Sequence, residues 1–348
     1  MPSSLAEGLR DRIRREGPIS FADFMEAALY DPDSGYYERG APIGEGGDFV
    51  TSPSVSPAFA ATIACRFASD AKELEGALDF VEIGAGEGRF LADFAEALAR
   101  DHPEVASRTR LIAVERSEAA RKSLANRSLS VLTSPGELRE RSVVGWIFAN
   151  ELYDALPVAR VRGTGEGLEE LRVGVEGDRF VWTAEAAPAA WKERLARSGV
   201  SLAPGQVGEI RPGAADLHRG LARALARGRL VVFDYGHRER TLYHPLARPA
   251  GTLAVHRGGR RGGDPLDRPG EQDLTAHVGW DEIVAAGEDE GLESEGPIRQ
   301  GRFLTESGIF DFARTEAEKW RAYRLIDPAG MGEEISVLLQ SRGIARRV

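Results

Sequence analysis

The order of apolar and polar positions divides the chain into apolar runs and amphipathic segments that alternate from about residue 78 onward. The apolar runs have the length of buried strands, and the amphipathic segments repeat their apolar residues at helical spacing. Strands that alternate with helices predict an α/β fold with a mostly parallel sheet and right-handed crossovers. The predicted strands are 78–83, 111–114, 129–132, 146–149 and 230–234, and the predicted helices are 90–99 and 214–226.

The residues before this alternating region predict two helices, at 5–15 and 20–30, and then a loop rich in glycine and proline at 31–57. A loop of that length is unusual in a compact domain and commonly acts as a lid or a binding segment. We therefore expect the second half of this loop to close over a ligand site.

The pattern changes again in residues 157–212, which we interpret as an insertion after the fourth strand. Within it, two alternating segments at 170–175 and 179–183 are joined by Glu-Gly-Asp and predict an antiparallel hairpin. We expect this insertion to lie over the substrate site.

The C-terminal part of the chain predicts a helix after residue 279, a strand near 300–304 and a final helix near 332–340. These elements complete a division of the chain into four segments. The segments are a helical extension with the lid loop (1–75), the cofactor-binding half of the core (76–156), the insertion (157–212) and the second half of the core (213–348).

Composition narrows the class of protein. The chain has 348 residues, a hydrophobic fraction of 42% and a net charge of −10, which argues against nucleic acid as the main partner. Cys65 is the single cysteine, which excludes an internal disulfide framework and a cysteine-built zinc site, and no metal is expected. No window has the apolar length of a membrane span, and residues 1–17 resemble neither a transit nor a secretory peptide. We expect a cytoplasmic protein.

A glycine-rich turn follows the first strand of the alternating region. Glu82, Gly84, Gly86 and Gly88 form the pattern E-x-G-x-G-x-G. A dinucleotide-binding turn requires G-x-G-x-x-G, but Arg89 stands where its third glycine would fall. An NAD-dependent oxidoreductase is therefore a distant alternative. Glycine lets a ligand approach the backbone closely, because it has no Cβ and tolerates positive φ.

Glu115 ends the second strand, where a carboxylate can accept two hydrogen bonds from a ribose diol. The order strand, Glu, glycine turn, helix, strand, Glu resembles motif I and its surroundings in class I S-adenosylmethionine methyltransferases. The resemblance implies S-adenosyl-L-methionine as the cofactor. Its expected contacts are Glu82, Gly84, Ala85, Gly86, Gly88 and Glu115.

Blocks along nearly the whole chain resemble the MidA family, the mitochondrial complex I assembly-factor methyltransferases and their bacterial relatives. They are GGDFVTSPSVSPAFA, FANELYDALPV, FDYGH, DPLDRPGEQDLTAHVGW, GPIRQGRFLTESGI and LIDPAGMGEEISVLL. The resemblance is weakest across 159–212. It implies a class I methyltransferase sheet with one antiparallel strand near the C-terminus, a helical N-terminal extension, and arginine of a protein substrate as the methyl acceptor.

The same resemblance assigns further site residues. From the first block, it implies that Asp48, Thr51, Ser52 and Pro53 lie against the cofactor as part of the lid. From the second block, it implies that the catalytic residues are Asn150, Glu151 and Asp154.

The expected acceptor chemistry agrees with these residue types. A guanidinium is protonated at neutral pH and is a poor nucleophile in that form. The Glu151 and Asp154 carboxylates could hold its planar fork, expose one nitrogen and take up the developing charge. A structural alternative is that Glu151 caps the next helix, Asp154 is a solvated surface charge and Asn150 is a turn residue.

Four other side chains have both a structural and a functional interpretation. His237 and His277 are expected as hydrogen-bonding loop residues rather than as general bases. Tyr36 and Tyr37 either line a substrate cleft or pack the N-terminal helices onto the sheet.

Three functions therefore remain open. The first is a protein arginine methyltransferase, the second a methyltransferase acting on oxygen, nitrogen or carbon of a small molecule, and the third a non-catalytic assembly protein. The complete set of cofactor-turn residues argues against the third. The expected partners are a protein or small-molecule acceptor, without nucleic acid or membrane, and a homodimer is left open.

Overall fold

The computed structural model describes residues 4–40, 51–125, 127 and 129–345. Asp48 and the rest of residues 41–50 of the predicted lid loop lie outside these residues. The α-helices of the described part of the chain are α1 (Ser4–Glu16), α2 (Phe21–Tyr30), α3 (Ser52–Val55), α4 (Pro57–Asp70), α5 (Arg89–Asp101), α6 (Pro103–Ala106), α7 (Glu118–Leu124), α8 (Ala189–Arg197), α9 (Ala214–Ala224), α10 (Glu239–Leu242), α11 (Trp280–Asp289), α12 (Gln300–Glu306), α13 (Glu316–Ile326) and α14 (Met331–Glu334).

Strands of the same residues form three sheets. Short 3-10 helices at Ala71–Glu73, Pro135–Glu137 and Ile309–Phe312 add to the connections. The strands are β1 (Ile19–Ser20), β2 (Leu78–Ile83), β3 (Thr109–Val114), β4 (Ser130–Leu132), β5 (Val143–Asn150), β6 (Ala159–Gly163), β7 (Leu168–Glu176), β8 (Arg179–Ala186), β9 (Val207–Ile210), β10 (Leu225–His237), β11 (Ala254–Arg257), β12 (Arg260–Arg261), β13 (Asp273–Thr275), β14 (Val278–Gly279), β15 (Glu293–Arg299) and β16 (Ile335–Arg342).

The largest sheet has the strand order β15-β16-β10-β5-β2-β3-β4, with β14 paired to the end of β10. Strands β4, β3, β2, β5 and β10 are parallel, whereas β16 runs antiparallel to both of its neighbours. This arrangement confirms the predicted mostly parallel sheet with one antiparallel strand near the C-terminus. The chain leaves β2 toward β3 and β4 on one side and toward β5 and β10 on the other, so the strand order reverses between β2 and β5.

The core fills both faces of this sheet, because its central strands are buried on both sides. All six residues of β2 are buried. Phe80 packs on one face against Phe94 of α5, with ring centroids 3.9 Å apart. Val81 and Ile83 belong to the apolar cluster on the opposite face. This double burial explains why β2 is a continuous apolar run interrupted only by carboxylates.

A second sheet contains the predicted hairpin. Strands β7 and β8 pair antiparallel through residues 169–186, as the two alternating segments predicted. On the other edge of β7, residues 168–171 pair with β6 and residues 172–173 pair with β1, and β9 pairs with β6. The sequence did not predict β6 or β9, which are five and four residues long. The proposed segment boundaries stay a prediction.

The N-terminal helices pack on this second sheet. The ring of Phe21 lies 5.1 Å from that of Trp182, and the ring of Phe24 lies 5.3 Å from that of Phe180. Helix α2, predicted at 20–30, is capped by Ser20, whose side chain accepts a hydrogen bond from the backbone N–H of Asp23. The N-terminal extension and the insertion therefore share a core.

Two C-terminal predictions were wrong. Residues 335–342 form strand β16, whereas the sequence analysis placed a helix near 332–340. The first seven residues of β16 are buried, and an apolar run buried on both faces cannot be distinguished from a helix by its period. Residues 300–306 form helix α12 where a strand was predicted, and the strand lies one element earlier, in β15. Gly296 and Pro297 lie at an irregularity in the pairing of β15 and conceal its strand pattern.

Among the described residues, none of the helices combines the length and the apolar character needed to cross a membrane.

Candidate active site

A cleft of about 490 Å³ opens at the carboxyl ends of β2, β3 and β5. In an open α/β sheet, ligands bind at this edge, next to the point where the strand order reverses. The predicted site residues that line the cleft are Thr51, Pro53, Glu82, Gly84, Ala85, Gly86, Glu115, Asn150 and Glu151.

Three other predicted site residues lie outside this lining, at positions that support it. Ser52 is fully buried, and its hydroxyl donates to Oε1 of Gln300. A Cβ at Gly88 would lie 2.3 Å from Cδ2 of Leu124, so this glycine allows α7 to pack against the start of α5. Asp154 is buried below the cleft, with 7% of its surface exposed.

The glycine turn after β2 has left-handed backbone conformations, with φ of +75° at Gly84 and +52° at Gly86. A Cβ at Gly84 would lie 2.8 Å from Cδ1 of Leu152, so this position is closed by packing. A Cβ at Gly86 would meet no atom of the described residues within 4 Å. Gly86 therefore leaves open space directly above the backbone, on the side that lines the cleft.

Glu115 holds this turn in place. Its Oε2 accepts a hydrogen bond of 2.7 Å from the N–H of Gly86, and its Oε1 accepts one of 2.7 Å from the N–H of Ser117. Burial raises the pKa of the Glu115 carboxyl, and the two N–H groups oppose that shift. Each carboxylate oxygen has a second lone pair, which is available to hydroxyl donors in the cleft.

Glu82 places a carboxylate at the bottom of the cleft. The residue is 5% exposed, and its Oε2 is buried and has no hydrogen-bond partner among the described residues. Burial raises the pKa of Glu82 well above its ordinary value, and the charge of Glu115 adds to this effect. An unpartnered buried carboxylate is stabilised by a cationic donor, and the cleft is where such a donor can reach it.

The arrangement fits S-adenosyl-L-methionine. Gly86 leaves space for the ligand, Glu82 offers an acceptor to the cationic amino group, and Glu115 offers acceptors to the ribose hydroxyls. When bound, the cofactor supplies an electrophilic methyl group on a sulfonium.

We expect Glu115→Ala to weaken binding of S-adenosylhomocysteine by ~1.5–3 kcal/mol, because a charged hydrogen-bond acceptor is lost. Isothermal titration calorimetry measures this change. Glu38→Ala is the matched control, since the Glu38 carboxylate accepts from the N–H of Glu118 at 3.0 Å but does not line the cleft. Equal losses in both variants would contradict a direct contact between Glu115 and the ligand.

The turn after β5 presents a second set of acceptors. Glu151 has a φ of +49°, which is rare for a residue with a large side chain, and its N–H donates to the carbonyl of Phe233 at 2.8 Å. Its Oε1 accepts from the N–H of Ser52 at 2.9 Å and from Nδ2 of Asn150 at 3.0 Å. These bonds maintain the unusual conformation. Both of these side-chain bonds go to Oε1, and no described residue donates to Oε2 of Glu151. Oδ1 of Asn150 is buried without a partner among the described residues.

Burial raises the pKa of Glu151 to about 8, and the nearby charge of Asp154 raises it further against the opposing hydrogen bond from Ser52. The group is therefore poised to change its charge near neutral pH. The helix-cap interpretation of Glu151 was wrong in its detail, because residues 151–156 form turns rather than a helix. The Glu151 carboxylate instead accepts a hydrogen bond from the backbone N–H of Ser52, the first residue of α3. This bond links the TSP and NELYD segments of the chain.

Asp234 fixes the turn after β5 from below, and the sequence analysis did not identify it. The residue is fully buried. Its Oδ2 accepts from the N–H groups of Tyr153 at 2.7 Å and Leu152 at 3.1 Å, and its Oδ1 accepts from the N–H of Tyr235 at 2.9 Å. One side chain of β10 therefore orders the backbone that carries Glu151.

Arg211 was also missed, although it neutralises the buried carboxylates. Its Nη2 donates to the carbonyl oxygens of Asp154 at 3.1 Å and Ala276 at 2.6 Å, and its Nη1 donates to that of His277 at 3.2 Å. Burial raises the pKa of Asp154 to about 6, and the charge of Arg211 opposes this shift. Asp154 is thus not a solvated surface charge. In the cleft itself, the acceptor pair is Glu151 with Asn150 rather than Glu151 with Asp154.

The tyrosines of the N-terminal extension close one side of the cleft. Tyr30 and Tyr37 line it, with their rings stacked 5.4 Å apart. The hydroxyl of Tyr30 donates to the carbonyl of Ala155, and the hydroxyl of Tyr37 donates to Oδ1 of Asp273, both at 3.0 Å. Tyr36 is buried and packs edge-on against Tyr37. The cleft interpretation therefore holds for Tyr37, and the packing interpretation holds for Tyr36.

The strand order of the large sheet, together with a glycine turn at the end of β2 and a carboxylate at the end of β3, defines a class I methyltransferase. Residues 62–298 match the model of a family described as S-adenosyl-L-methionine-dependent methyltransferases. The protein belongs to this family, and S-adenosyl-L-methionine is its methyl donor.

Solved structures and curated relatives agree with this assignment. A crystal structure from Burkholderia thailandensis, bound to S-adenosyl-homocysteine, superposes with a TM-score of 0.89 at 33% identity, covering 99% of this chain and 93% of that one. The mitochondrial protein arginine methyltransferase NDUFAF7 of Mus musculus is 28% identical, covering 86% of this chain and 72% of its own length. The Drosophila melanogaster homolog of NDUFAF7 is 26% identical, covering 86% of this chain and 74% of its own length.

Proposed function

We propose that the protein transfers a methyl group from S-adenosyl-L-methionine to an arginine side chain of a protein substrate. The observation that carries this proposal is the pair of free acceptors beside the cofactor turn. Asn150 donates its Nδ2 to Glu151, so its Oδ1 faces away from that bond and has no partner among the described residues. Oε2 of Glu151 is the second acceptor. A guanidinium is a planar group with donors only, which suits such a pair.

The relatives support the same acceptor. The curated proteins of mouse, human and fly that resemble this chain are named as protein arginine methyltransferases. Their overall identity to this chain is 26–28%.

Glu151 would also accept the proton that the guanidinium releases in the reaction. As the new N–C bond forms and the C–S bond breaks, the guanidinium nitrogen must lose a proton. A carboxylate with a pKa of about 8 is a stronger base than an ordinary glutamate and can accept that proton. After the transfer the methylated guanidinium keeps one positive charge, Glu151 is a neutral acid, and the cofactor has lost its sulfonium charge.

Transfer of a radiolabelled methyl group from S-adenosyl-L-methionine into a lysate of the source organism tests the proposed function. The labelled material is separated into protein and small molecules, and the protein fraction is hydrolysed. We expect label in protein that hydrolyses to methylarginine. Label confined to metabolites would instead identify a small-molecule methyltransferase on the same scaffold, and absence of transfer would favour an assembly role.

Binding of an arginine peptide should strengthen as the pH rises. Below a pH of about 8, Glu151 is mostly protonated and must release its proton to pair with a guanidinium, which stays charged throughout. The affinity of the protein loaded with S-adenosylhomocysteine should therefore rise by up to ~10-fold per pH unit and level off above the pKa. Asp154, with a pKa of about 6, contributes at lower pH.

The pH profile is measured by calorimetry or fluorescence anisotropy between about pH 6.5 and 9. Glu151→Gln should flatten it, because the amide has no proton to release. A flat profile in the unmodified protein would contradict pairing of Glu151 with the guanidinium.

A further inference from the structure

A series of hydrogen bonds leads from the Glu151 carboxylate into the C-terminal part of the fold. Oε1 of Glu151 accepts from the backbone N–H of Ser52 at 2.9 Å. The Ser52 hydroxyl donates to Oε1 of Gln300 at 3.0 Å, and Nε2 of Gln300 donates to the carbonyl of Leu325 at 2.9 Å. The series therefore joins the turn after β5 to α3, α12 and α13, which are distant from it in sequence.

The residues of this series beyond Glu151 lie away from the cleft. Ser52, Gln300 and Leu325 are fully buried, and none of them belongs to the cleft lining. A buried hydroxyl and a buried amide are costly unless their hydrogen bonds are made. Ser52 and Gln300 can therefore influence the reaction only through the bonds that they make, and not by touching a ligand.

The direction of each bond is determined by the end of α13. Leu325 lies in the last turn of this helix, where a backbone carbonyl has no partner within the helix and can only accept. The Gln300 amide must therefore turn its NH2 group toward Leu325 and its oxygen toward Ser52. The Ser52 hydroxyl then has to donate to that oxygen. A reversed amide would place two oxygens against each other at Leu325.

At the other end of the series, the bonds fix the rotation of the Glu151 carboxylate. The last torsion of a glutamate side chain has broad minima, so a carboxylate without partners samples many orientations. Two donors, the N–H of Ser52 and Nδ2 of Asn150, both bind Oε1, and no described residue donates to Oε2. Asn150 is the preceding residue of the same turn, whereas Ser52 belongs to a separate helix. The position of Ser52 therefore decides which oxygen is presented to a ligand.

The bond to Gln300 is additional to the capping of α3. Thr51 and Ser54 make the capping bonds, through the N–H of Thr51 to Oγ of Ser54 and from that hydroxyl to the carbonyl of Thr51. Neither bond uses the side chain of Ser52. A helix of four residues has little stability of its own, so it needs contacts from outside to hold its position. Gln300 supplies one of them at the residue whose N–H reaches Glu151.

We propose that Gln300 is a positioning residue for methyl transfer: acting through Ser52, it orients the Glu151 carboxylate so that Oε2 faces the methyl acceptor. The proposal rests on the proposed function, because it takes Glu151 as the group that receives the acceptor. It gives the buried start of α12 a part in the reaction, although Gln300 contacts neither the cofactor nor the substrate.

Gln300→Met tests this role, because methionine keeps the length of the side chain and removes the amide donor and acceptor. Burial raises the pKa of Glu151 to about 8, and the N–H of Ser52 opposes that shift. When Ser52 is no longer held, this N–H bond weakens, and the pKa of Glu151 should rise further by about one pH unit. Infrared difference spectroscopy of the full-length protein loaded with S-adenosylhomocysteine measures it, through the band of the protonated carboxyl that is missing in Glu151→Gln.

The other groups around Glu151 stay unchanged in this variant. The titratable groups that exchange charge effects with Glu151 are Asp154, Asp234 and Tyr235. None of them is substituted, and Asn150 keeps its own bond to Oε1. A shift in the pKa of Glu151 therefore reports the weakened N–H bond.

Gln340→Met is the matched control. Gln340 is also fully buried, and its Nε2 also donates to a backbone carbonyl, that of Val284 at 2.9 Å. Its side-chain partners are His218 and Ser294, which do not lead to Glu151. Gln340→Met should lose a comparable amount of thermal stability and leave the pKa of Glu151 unchanged.

Ser52→Ala removes only the hydroxyl and should reproduce the effect of Gln300→Met. Because the two residues act through one bond, the double variant should change little beyond either single variant. If Gln300→Met does not fold, as judged by its melting temperature and its affinity for S-adenosylhomocysteine, Ser52→Ala decides the proposal.

Turnover is measured with the lysate fraction that accepts the radiolabelled methyl group. We expect kcat per folded molecule to fall by ~10-fold or more in Gln300→Met and Ser52→Ala, with an unchanged KM for S-adenosyl-L-methionine, because a misaligned carboxylate loses orientation and not cofactor binding. An unchanged pKa of Glu151, unchanged turnover, or equal changes in Gln340→Met would overturn the positioning role.

The infrared measurement needs no methyl acceptor, so the two proposals can fail separately. A shifted pKa and reduced turnover, with label confined to metabolites, would leave the positioning role in place and contradict arginine as the acceptor. Methylarginine in protein, without a shift of the Glu151 pKa in the variants, would contradict the positioning role and leave the arginine acceptor in place.

Discussion

Gly86→Val is expected to abolish binding of S-adenosylhomocysteine while leaving most of the fold intact. The Cβ of the new side chain would project into the open space above the turn, where no described atom lies within 4 Å. That space is where a ligand must approach the backbone. The φ of +52° at Gly86 also strains a β-branched residue. Calorimetry should show a loss of at least ~100-fold, because steric overlap of the new side chain with the ligand costs about 3 kcal/mol.

Gly177→Val separates the steric effect from the backbone effect. Gly177 lies in the turn of the β7–β8 hairpin, has a φ of +61°, and also has no described atom within 4 Å of a Cβ. Both variants should lose a similar amount of thermal stability, about 1–3 kcal/mol. Only Gly86→Val should lose the ligand. Undiminished affinity in Gly86→Val would remove the assignment of the cofactor to this turn.

The central part of the fold was predictable because its strands are short, buried and separated by amphipathic helices. Strand β2 has the predicted bounds, and the predictions for β3, β5 and β10 fall inside longer strands. The secondary-structure prediction was wrong where the apolar and polar pattern fits both a strand and a helix. Strand β16 is buried on both faces, with Ile335, Val337 and Leu339 in one apolar cluster and Leu338 in the other. A short segment buried on both sides cannot be distinguished from a buried helix by its period.

The cofactor half of the site was predictable for a different reason. Glycine at a turn and a carboxylate at a strand end are consequences of local backbone geometry, and both are visible in the sequence. The structure adds a distinction among the glycines. Gly86 borders open space, whereas Gly84 and Gly88 are required by the packing of Leu152 and Leu124.

The acceptor half depends on bonds between segments distant in sequence, which a single sequence does not reveal. The hydrogen bond from Ser52 to Glu151 joins residues that are 99 positions apart. The bond from the N–H of Tyr153 to Asp234 joins residues that are 81 positions apart. The family resemblance of the second block implied a catalytic role for Asp154. The structure places it beside Arg211, whose charge balances it below the cleft. A residue type can suggest chemistry, but only the tertiary structure determines which side of the turn it occupies.

Glu151→Gln should separate catalysis from stability, and it tests the central residue of the proposed mechanism. The amide oxygen can still accept from Ser52 and Asn150, so the turn should keep its conformation. The variant loses the charge that would orient the guanidinium and the base that would receive its proton. We expect turnover to fall by ~100-fold or more, since loss of a preorganised charged contact costs about 3 kcal/mol at the transition state. Affinity for S-adenosylhomocysteine should barely change.

The stability of the same variant has a predictable sign. The folded-state pKa of Glu151, about 8, lies above the ordinary value of 4.5, so its contribution to stability is lost as the pH rises between these values. Glu151→Gln removes this loss and should unfold at a higher temperature than the unmodified protein above pH 8, with a smaller difference at acidic pH. A purely structural role, in which the carboxylate supports α3, predicts instead a lower melting temperature and unchanged turnover per folded molecule.

Glu87→Gln is the matched control for both measurements. Glu87 lines the same cleft but is exposed, and its side chain is not part of the Ser52–Glu151–Asn150 contacts. It should retain both turnover and melting temperature. If Glu151→Gln keeps full turnover, the guanidinium does not depend on Glu151, and the free acceptors beside the cofactor turn must serve another methyl acceptor, even though the protein is a methyltransferase.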